Sequence, residues 1–158
     1  MRSPIVWKVS AFEELSTDEL YAILHLRTKV FVVEQNAPYL DMDYKDQKAL
    51  HQHGYIDGVL VAYCRLFKPG YYFEKASIGR VIVAEECRKY GYGHELMKKA
   101  IEVITDIFHE TAITISAQQH LKEFYETHYF FQIGDAYIED SIPHIRMERI
   151  KTEKSLGG

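Results

Sequence analysis

One segment constrains this chain more than any other. Ser77-Ile78-Gly79-Arg80-Val81-Ile82-Val83 has the apolar weight of a buried strand, and Ala84-Glu85-Glu86-Cys87 joins it to Arg88-Lys89-Tyr90-Gly91-Tyr92-Gly93. From His94 to Phe108, Leu96, Met97, Ala100, Ile101, Ile104, Ile107 and Phe108 then recur at helical spacing. Strand, glycine loop and amphipathic helix bring loop amides and a helix N-terminus to one point, and such a point attracts anions. Gly91 and Gly93 have no side chain to hold a phosphate away from the main chain. Arg88 and Lys89 bring positive charge to a chain whose net charge is −4. The loop lacks the GxxxxGK[ST] pattern of a Walker loop and the GxGxxG of a dinucleotide fold; what stands here is R-x-x-G-x-G.

The remaining elements complete a single α/β domain over residues 1–150 of 158. Ile5 to Val9 reads as a strand. Ser16 and Glu19 form a capping box, which opens a helix reaching about Val33. Its apolar face of Leu20, Ile23, Leu24, Val30 and Phe31 contains one charge, Arg27. Asn36 to Lys48, with Asp41, Asp43 and Asp46, shows no periodicity and reads as a long loop of the kind that often serves function. Leu50 to Tyr55 and Val59 to Phe67 are strands joined around Asp57-Gly58, a hairpin signal. Ala76 to Val83 is the strand before the glycine loop, and Cys87 to Gly93 is that loop. Ile113, Ile115 and Ala117 alternate with polar residues in a further strand. His120 to about His128 is a short helix. Phe130 to Ile133 and His144 to Arg149 are late strands, and Lys151 to Gly158 reads as a frayed tail.

Composition excludes several classes. With 19 basic against 23 acidic residues, general binding to nucleic acid or to an anionic membrane is not expected. Two cysteines, Cys64 and Cys87, make no disulfide framework. No apolar run has the length of a signal or a membrane span, so a cytoplasmic setting is expected. His51 and His53 share one strand face, but no third ligand is evident, and no metal is expected.

Arg88 to Gly93, set between that strand and that helix, resembles the pyrophosphate-binding motif of the Gcn5-related N-acetyltransferase (GNAT) superfamily. The resemblance implies a mixed, mainly antiparallel central sheet flanked by helices, with acetyl-coenzyme A as acyl donor. It implies that Arg88, Lys89, Tyr90, Gly91, Tyr92 and Gly93 cradle the pyrophosphate. It also implies that the strand carrying Val81, Ile82 and Val83 splays from its neighbour, pairs with the pantetheine arm through Val81 and Val83, and offers an amide to the thioester carbonyl.

Ala117-Gln118-Gln119-His120-Leu121-Lys122-Glu123-Phe124-Tyr125-Glu126 resembles the second motif of the family. That likeness implies Gln118, His120 and Phe124 beside the donor and Tyr125 as the acid that protonates the departing thiolate. A phenol of pKa about 10 is a competent donor at neutral pH. Family members carry glycine where this chain has Tyr129, and a tyrosine does not take positive φ readily. The usual asparagine is absent, with Gln119 near its place. Leu26-Arg27, Val30 to Gln35, Pro38-Tyr39, Asp41 to Asp46, Ile78 to Val81, Ala117-Gln118, His120-Leu121 and Ile142 to Ile145 resemble the ElaA-type branch, over about residues 20–148.

The activity this implies is acetyl transfer to a primary amine, on a small molecule or a peptide, by direct attack in a ternary complex. An amine charged at neutral pH must first lose a proton. Glu34, where the fold forms its acceptor wall, and His144, after Pro143, are the candidate bases, with Asp43, His51 and His120 behind them. A non-catalytic acyl-coenzyme A sensor and a transferase with another acyl donor are the alternatives. Arg27 and Arg80, set among apolar residues, require carboxylate partners. Tyr71-Tyr72-Phe73 reads equally as a core edge, a homodimer contact or an acceptor wall.

Overall fold

Capping starts the first helix as its residues require. The Glu19 amide donates to Ser16 Oγ at 3.0 Å and the Ser16 amide donates to the Glu19 carboxylate at 2.9 Å, opening α1 (Thr17–Arg27). The chain stays helical beyond α1 as a wider, π-type segment over Thr28–Glu34, close to the expected end. These features come from a computed structural model that describes residues 3–150. The expected tail at Lys151 to Gly158 lies outside the described residues.

Seven strands among the described residues form one sheet: β1 (Val6–Ala11), β2 (Leu50–Ile56), β3 (Val59–Phe67), β4 (Ala76–Val83), β5 (Ala112–Gln118), β6 (Phe131–Glu139) and β7 (Ile142–Ile150). Their order is β1-β2-β3-β4-β5-β7-β6. Only β4 and β5 run parallel, so the sheet is mixed and mainly antiparallel. Asp57 and Gly58, at φ 50° and 80°, make the two-residue turn between β2 and β3.

Helices cover both faces. Arg27 of α1 lies over the Tyr63 ring, while the Gln52 amide donates to the Leu96 carbonyl of α2 (Tyr92–Val103) at 3.1 Å. Tyr63 and Cys64 point to opposite faces, and Gln52 pairs with Cys64, so α1 and α2 sit on opposite sides of β3. From Val61 to Phe67 every residue of β3 is accordingly buried. The core gathers Ile23 and Leu26 from α1, Leu96 and Met97 from α2, and Ile113, Ile145 and Met147 from the sheet.

Several boundaries differ from expectation. α2 begins at Tyr92 instead of His94, because Gly91 at φ 78° ends the preceding 3-10 turn and lets the helix start. The helix expected from His120 is a 3-10 turn at Gln119–Leu121 followed by α3 (Lys122–Glu126). Tyr129 takes φ 69°, against the expectation for a tyrosine. The Phe130 amide donates to the Tyr125 carbonyl and the Tyr129 amide to that of Glu126, the bonding of a Schellman closure. β6 and β7 are much longer than expected. Gly134 at φ 72° and a register shift between Ile133 and Tyr137 bulge β6, so its alternation breaks and conceals its length.

The feature that positions the site is the departure of β4 from β5. The two strands pair only at Ala76↔Ile113 and Ser77↔Thr114. Beyond that, Arg80 and Val81 together oppose Cys64 in a bulge, with Arg80 at φ 51°. The strands then separate.

Candidate active site

The separation of β4 and β5 opens a cleft of about 590 Å³. Its walls include Val81, Ile82 and Val83 of β4, Gln118 of β5, Arg88 and Gly93 from the glycine loop, and Phe124 and Tyr125 of α3. Glu34, His120 and His144 line it as well. Residues far apart in sequence, proposed for one site, therefore share one cavity. Lys89, Tyr90, Gly91 and Tyr92 are not among its lining residues. The Tyr92 ring is buried and its hydroxyl donates to the Ser3 carbonyl at 3.3 Å, while Lys89 lies over the Tyr90 ring.

The edge of β4 facing the cleft carries main-chain groups. The Ala84 amide donates to the Val61 carbonyl at 2.7 Å, so the neighbouring Ala62↔Val83 pair is a non-hydrogen-bonded one. The Val83 N–H and C=O therefore turn away from β3, towards the cleft. Arg88 Nε already donates to that carbonyl at 2.9 Å.

The charges expected at the loop are arranged differently. Arg88 makes a forked ion pair with Glu34, one bond of it Nη2 to Oε2 at 3.1 Å. Its guanidinium is thus engaged by a carboxylate, and both Glu34 oxygens accept from it. The glycines serve the loop in two ways. Gly91 holds the left-handed position at the start of α2, where no side chain caps the helix. Gly93 lets α2 approach the Phe124 ring, since a Cβ there would sit 3.3 Å from it.

Tyr125 is 5% exposed, and burial pushes its phenol well above the usual tyrosine range. It stays protonated at neutral pH, as a proton donor must. His144 is buried, with Nδ1 2.8 Å from the Ile142 carbonyl oxygen. Gln118 and Gln35 exchange two amide hydrogen bonds of 3.1 Å across the cleft. Sequence reasoning missed Gln35, Glu139 and Ser116 as lining residues. The signal for Glu139 lay in the Asp140-Ser141 turn, whose φ values of 50° and 67° make a hairpin without glycine.

The wall beside the cleft is a loop held by ion pairs. Arg27 bonds Asp41 at 2.7 Å and Asp46 at 2.8 Å. Arg65 bonds Asp43 at 2.5 Å and Asp46 at 2.8 Å, and Arg80 bonds Asp41 at 2.7 Å. This meets the expectation of carboxylate partners for Arg27 and Arg80. It also places Asp43 in an ion pair. His51 bonds Tyr63 and the Asp46 carbonyl, and His53 bonds Ser10 and Tyr55. Among the described residues no group of three or more His, Cys, Asp or Glu is placed to hold a metal ion. Tyr72 packs on Phe67 and Phe73, with Arg65 over its ring, while Tyr71 is half exposed with Lys48 over its ring.

Comparison with known proteins agrees with this architecture. A family model described as an acetyltransferase (GNAT) domain matches residues 15–151. Protein ElaA of Escherichia coli (strain K12) is 42% identical over 147 residues, covering 92% of this chain and 96% of that protein. A crystal structure of an acyl-CoA N-acyltransferase from Pseudomonas aeruginosa is similar with a TM-score of 0.87 at 38% identity, covering 92% of this chain and 99% of that one. The crystal structure of Escherichia coli ElaA gives a TM-score of 0.85 at 41% identity, with the same coverage. By a family match and by identity that both span most of its length, this chain belongs to the GNAT acetyltransferase family, in its ElaA-type branch.

Proposed function

We propose that this protein moves an acetyl group from acetyl-coenzyme A to a primary amine by direct attack in a ternary complex. The observation that carries the reading is the cleft at the β4–β5 separation, with the start of α2 at one part of its rim and Tyr125 in its wall. The free edge of β4 at Val81 to Val83 suits an extended pantetheine arm, and the N–H of Val83 faces that way. Residues 88–93 and the uncapped start of α2 suit the pyrophosphate. The contribution of Arg88 is to fix the loop through Glu34, so main-chain amides supply most of the attraction.

Tyr125 gives its proton to the leaving thiolate. His144 is the better base of the two candidates, because both Glu34 oxygens are held by Arg88. Both cysteines are free thiols, Cys64 buried and Cys87 partly exposed, and burial pushes both up, so neither suits an acyl carrier. Free thiols also fit a cytoplasmic setting.

Calorimetric titration with acetyl-coenzyme A, with dephospho-coenzyme A and ATP as controls, tests the donor. Micromolar binding of acetyl-coenzyme A with ATP much weaker is the expected result; absence of binding to folded protein overturns the reading. Tyr125→Phe should lower kcat by about 100-fold or more while leaving acetyl-coenzyme A affinity unchanged. A variant that keeps its full rate would remove Tyr125 from the chemistry. Succinyl- and longer acyl-coenzyme A in the same assay separate acetyl transfer from transfer of another acyl group.

A further inference from the structure

One end of the cleft is built from groups that accept hydrogen bonds. His144 is 7% exposed, and its Nδ1 lies 2.8 Å from the Ile142 carbonyl oxygen. A carbonyl only accepts, so Nδ1 carries the proton and Nε2 presents a lone pair in the neutral ring. The Glu139 carboxylate stands 3.5 Å from that Nε2. In this state both are acceptors and make no hydrogen bond to each other. The other Glu139 oxygen receives only a long contact, 3.5 Å, from the Ser116 hydroxyl. Ser116 is itself bonded to Tyr137 at 2.6 Å, and the Tyr137 ring stacks on His144. Two carboxylate oxygens and an imidazole nitrogen thus converge with one weak donor between them.

Asp140 also lines the cleft. The cations of the cleft wall are engaged elsewhere, Arg80 by Asp41 and Arg88 by Glu34. Arg146, two residues along the same face of β7, lies over the Phe73 ring at 4.8 Å.

We propose that Glu139 docks the acceptor in its ammonium form, and that the site selects primary alkylamines with no carboxylate beside the amine. The inference rests on the acetyl-transfer reading and supplies its acceptor class. An alkylammonium brings three donors and a positive charge to a point that offers acceptors and negative charge. His144 Nε2 takes one of its protons, which frees the nitrogen lone pair. That pair forms the C–N bond to the thioester carbon and the C–S bond breaks. The sulfur leaves with the bonding electrons and receives the Tyr125 proton, which solvent returns to the phenol. As the amide forms, the nitrogen gives its second proton to solvent, and His144 releases the first to solvent as well. Overall, an ammonium and a thioester become an amide, a thiol and one proton. An α-amino acid would set its carboxylate against Glu139 and Asp140, while the cleft-wall cations Arg80 and Arg88 are already ion-paired with Asp41 and Glu34. Lysine-type side chains and simple alkylamines satisfy the site.

The test compares n-butylamine with norvaline, which is the same amine bearing an α-carboxylate. Thiol release from acetyl-coenzyme A is measured for each. The wild-type protein should favour n-butylamine in kcat/KM by at least about tenfold. Glu139→Gln should raise KM for n-butylamine about fivefold or more, a loss of acceptor binding. Glu139→Asp should recover part of the affinity. Equal or better use of norvaline by the wild type overturns the proposal, as does an unchanged KM in Glu139→Gln. The wild-type comparison stands even where a variant folds poorly. If no amine releases thiol while calorimetry still shows acetyl-coenzyme A bound, the transfer reading falls and the acceptor site falls with it; norvaline turnover that ignores Glu139→Gln removes the acceptor site alone.

Discussion

Tyr125 and Tyr129 stand four residues apart and answer to different constraints. Tyr125 sits in the cleft wall, where burial keeps its phenol neutral. Tyr129 closes α3 in a left-handed conformation, at φ 69°, with Arg149 over its ring. A left-handed L-residue costs about 1–2 kcal/mol, while the cation–π contact returns about 0.5–1 kcal/mol. Tyr129→Gly removes both and adds the chain entropy of glycine, so the unfolding free energy from urea denaturation should stay within about 0.5 kcal/mol of the parent. Tyr129→Val keeps the strain, loses the contact and suffers further from its β-branch, so it should lose about 1–2 kcal/mol. Equal midpoints for the two variants would refute this account. The glycine expected here by likeness was legible in sequence only as a departure. The Schellman bonds that make tyrosine tolerable run through backbone atoms, which no residue pattern announces.

At the scale of elements, the loop over residues 36–48 has almost no regular structure, yet it forms part of the cleft wall through Tyr39. Three arginines from α1, β3 and β4 hold it through Asp41, Asp43 and Asp46. Burial raises the Asp46 carboxyl, but hydrogen bonding and charge from Arg27 and Arg65 outweigh this and hold it below the usual range. Asp46→Asn leaves two buried guanidiniums short of an anion and should cost about 3–5 kcal/mol by urea denaturation. A loss under about 1 kcal/mol would mean that the cluster repacks without it. An arginine inside an apolar stripe announces a buried carboxylate, so this pairing was half legible. Which aspartate answers which arginine depends on the bulge at Arg80, and bulges leave no period to read. The same limit concealed β6, whose break at Gly134 divided its alternation and removed Glu139 from view. The strand–loop–helix order around Gly91 was legible because two periodicities meet there.

At the scale of the whole molecule, stability should depend on acid in two stages. His51, His53 and His128 are all buried, and burial is the main cause that pushes each imidazole down. For His128 the neighbouring His94, Lys98 and Arg149 add to this, and its value falls from 6.5 to about 4. The folded protein thus resists protonation that the unfolded chain accepts at about pH 6.5. Between these values the unfolded chain binds more protons, so the stabilisation is complete above pH 6.5 and is lost as pH falls towards about 4. A second stage follows from the carboxylates. Lys8 and the Ser16 amide hold Glu19 at about 2, below its usual 4.5, and their contribution disappears as pH falls through that range. Asp46 behaves in the same sense. Urea midpoints should therefore be level from about pH 8 to 7, decline below about 6.5, and steepen below about 4.5. His128→Gln removes the largest single titration from the first stage. It should flatten the decline between about pH 6.5 and 4.5 by on the order of 2 kcal/mol and leave the second stage unchanged. An unaltered first stage in that variant would show that His128 takes up its proton in the folded protein as it does in the unfolded chain, and would overturn this account.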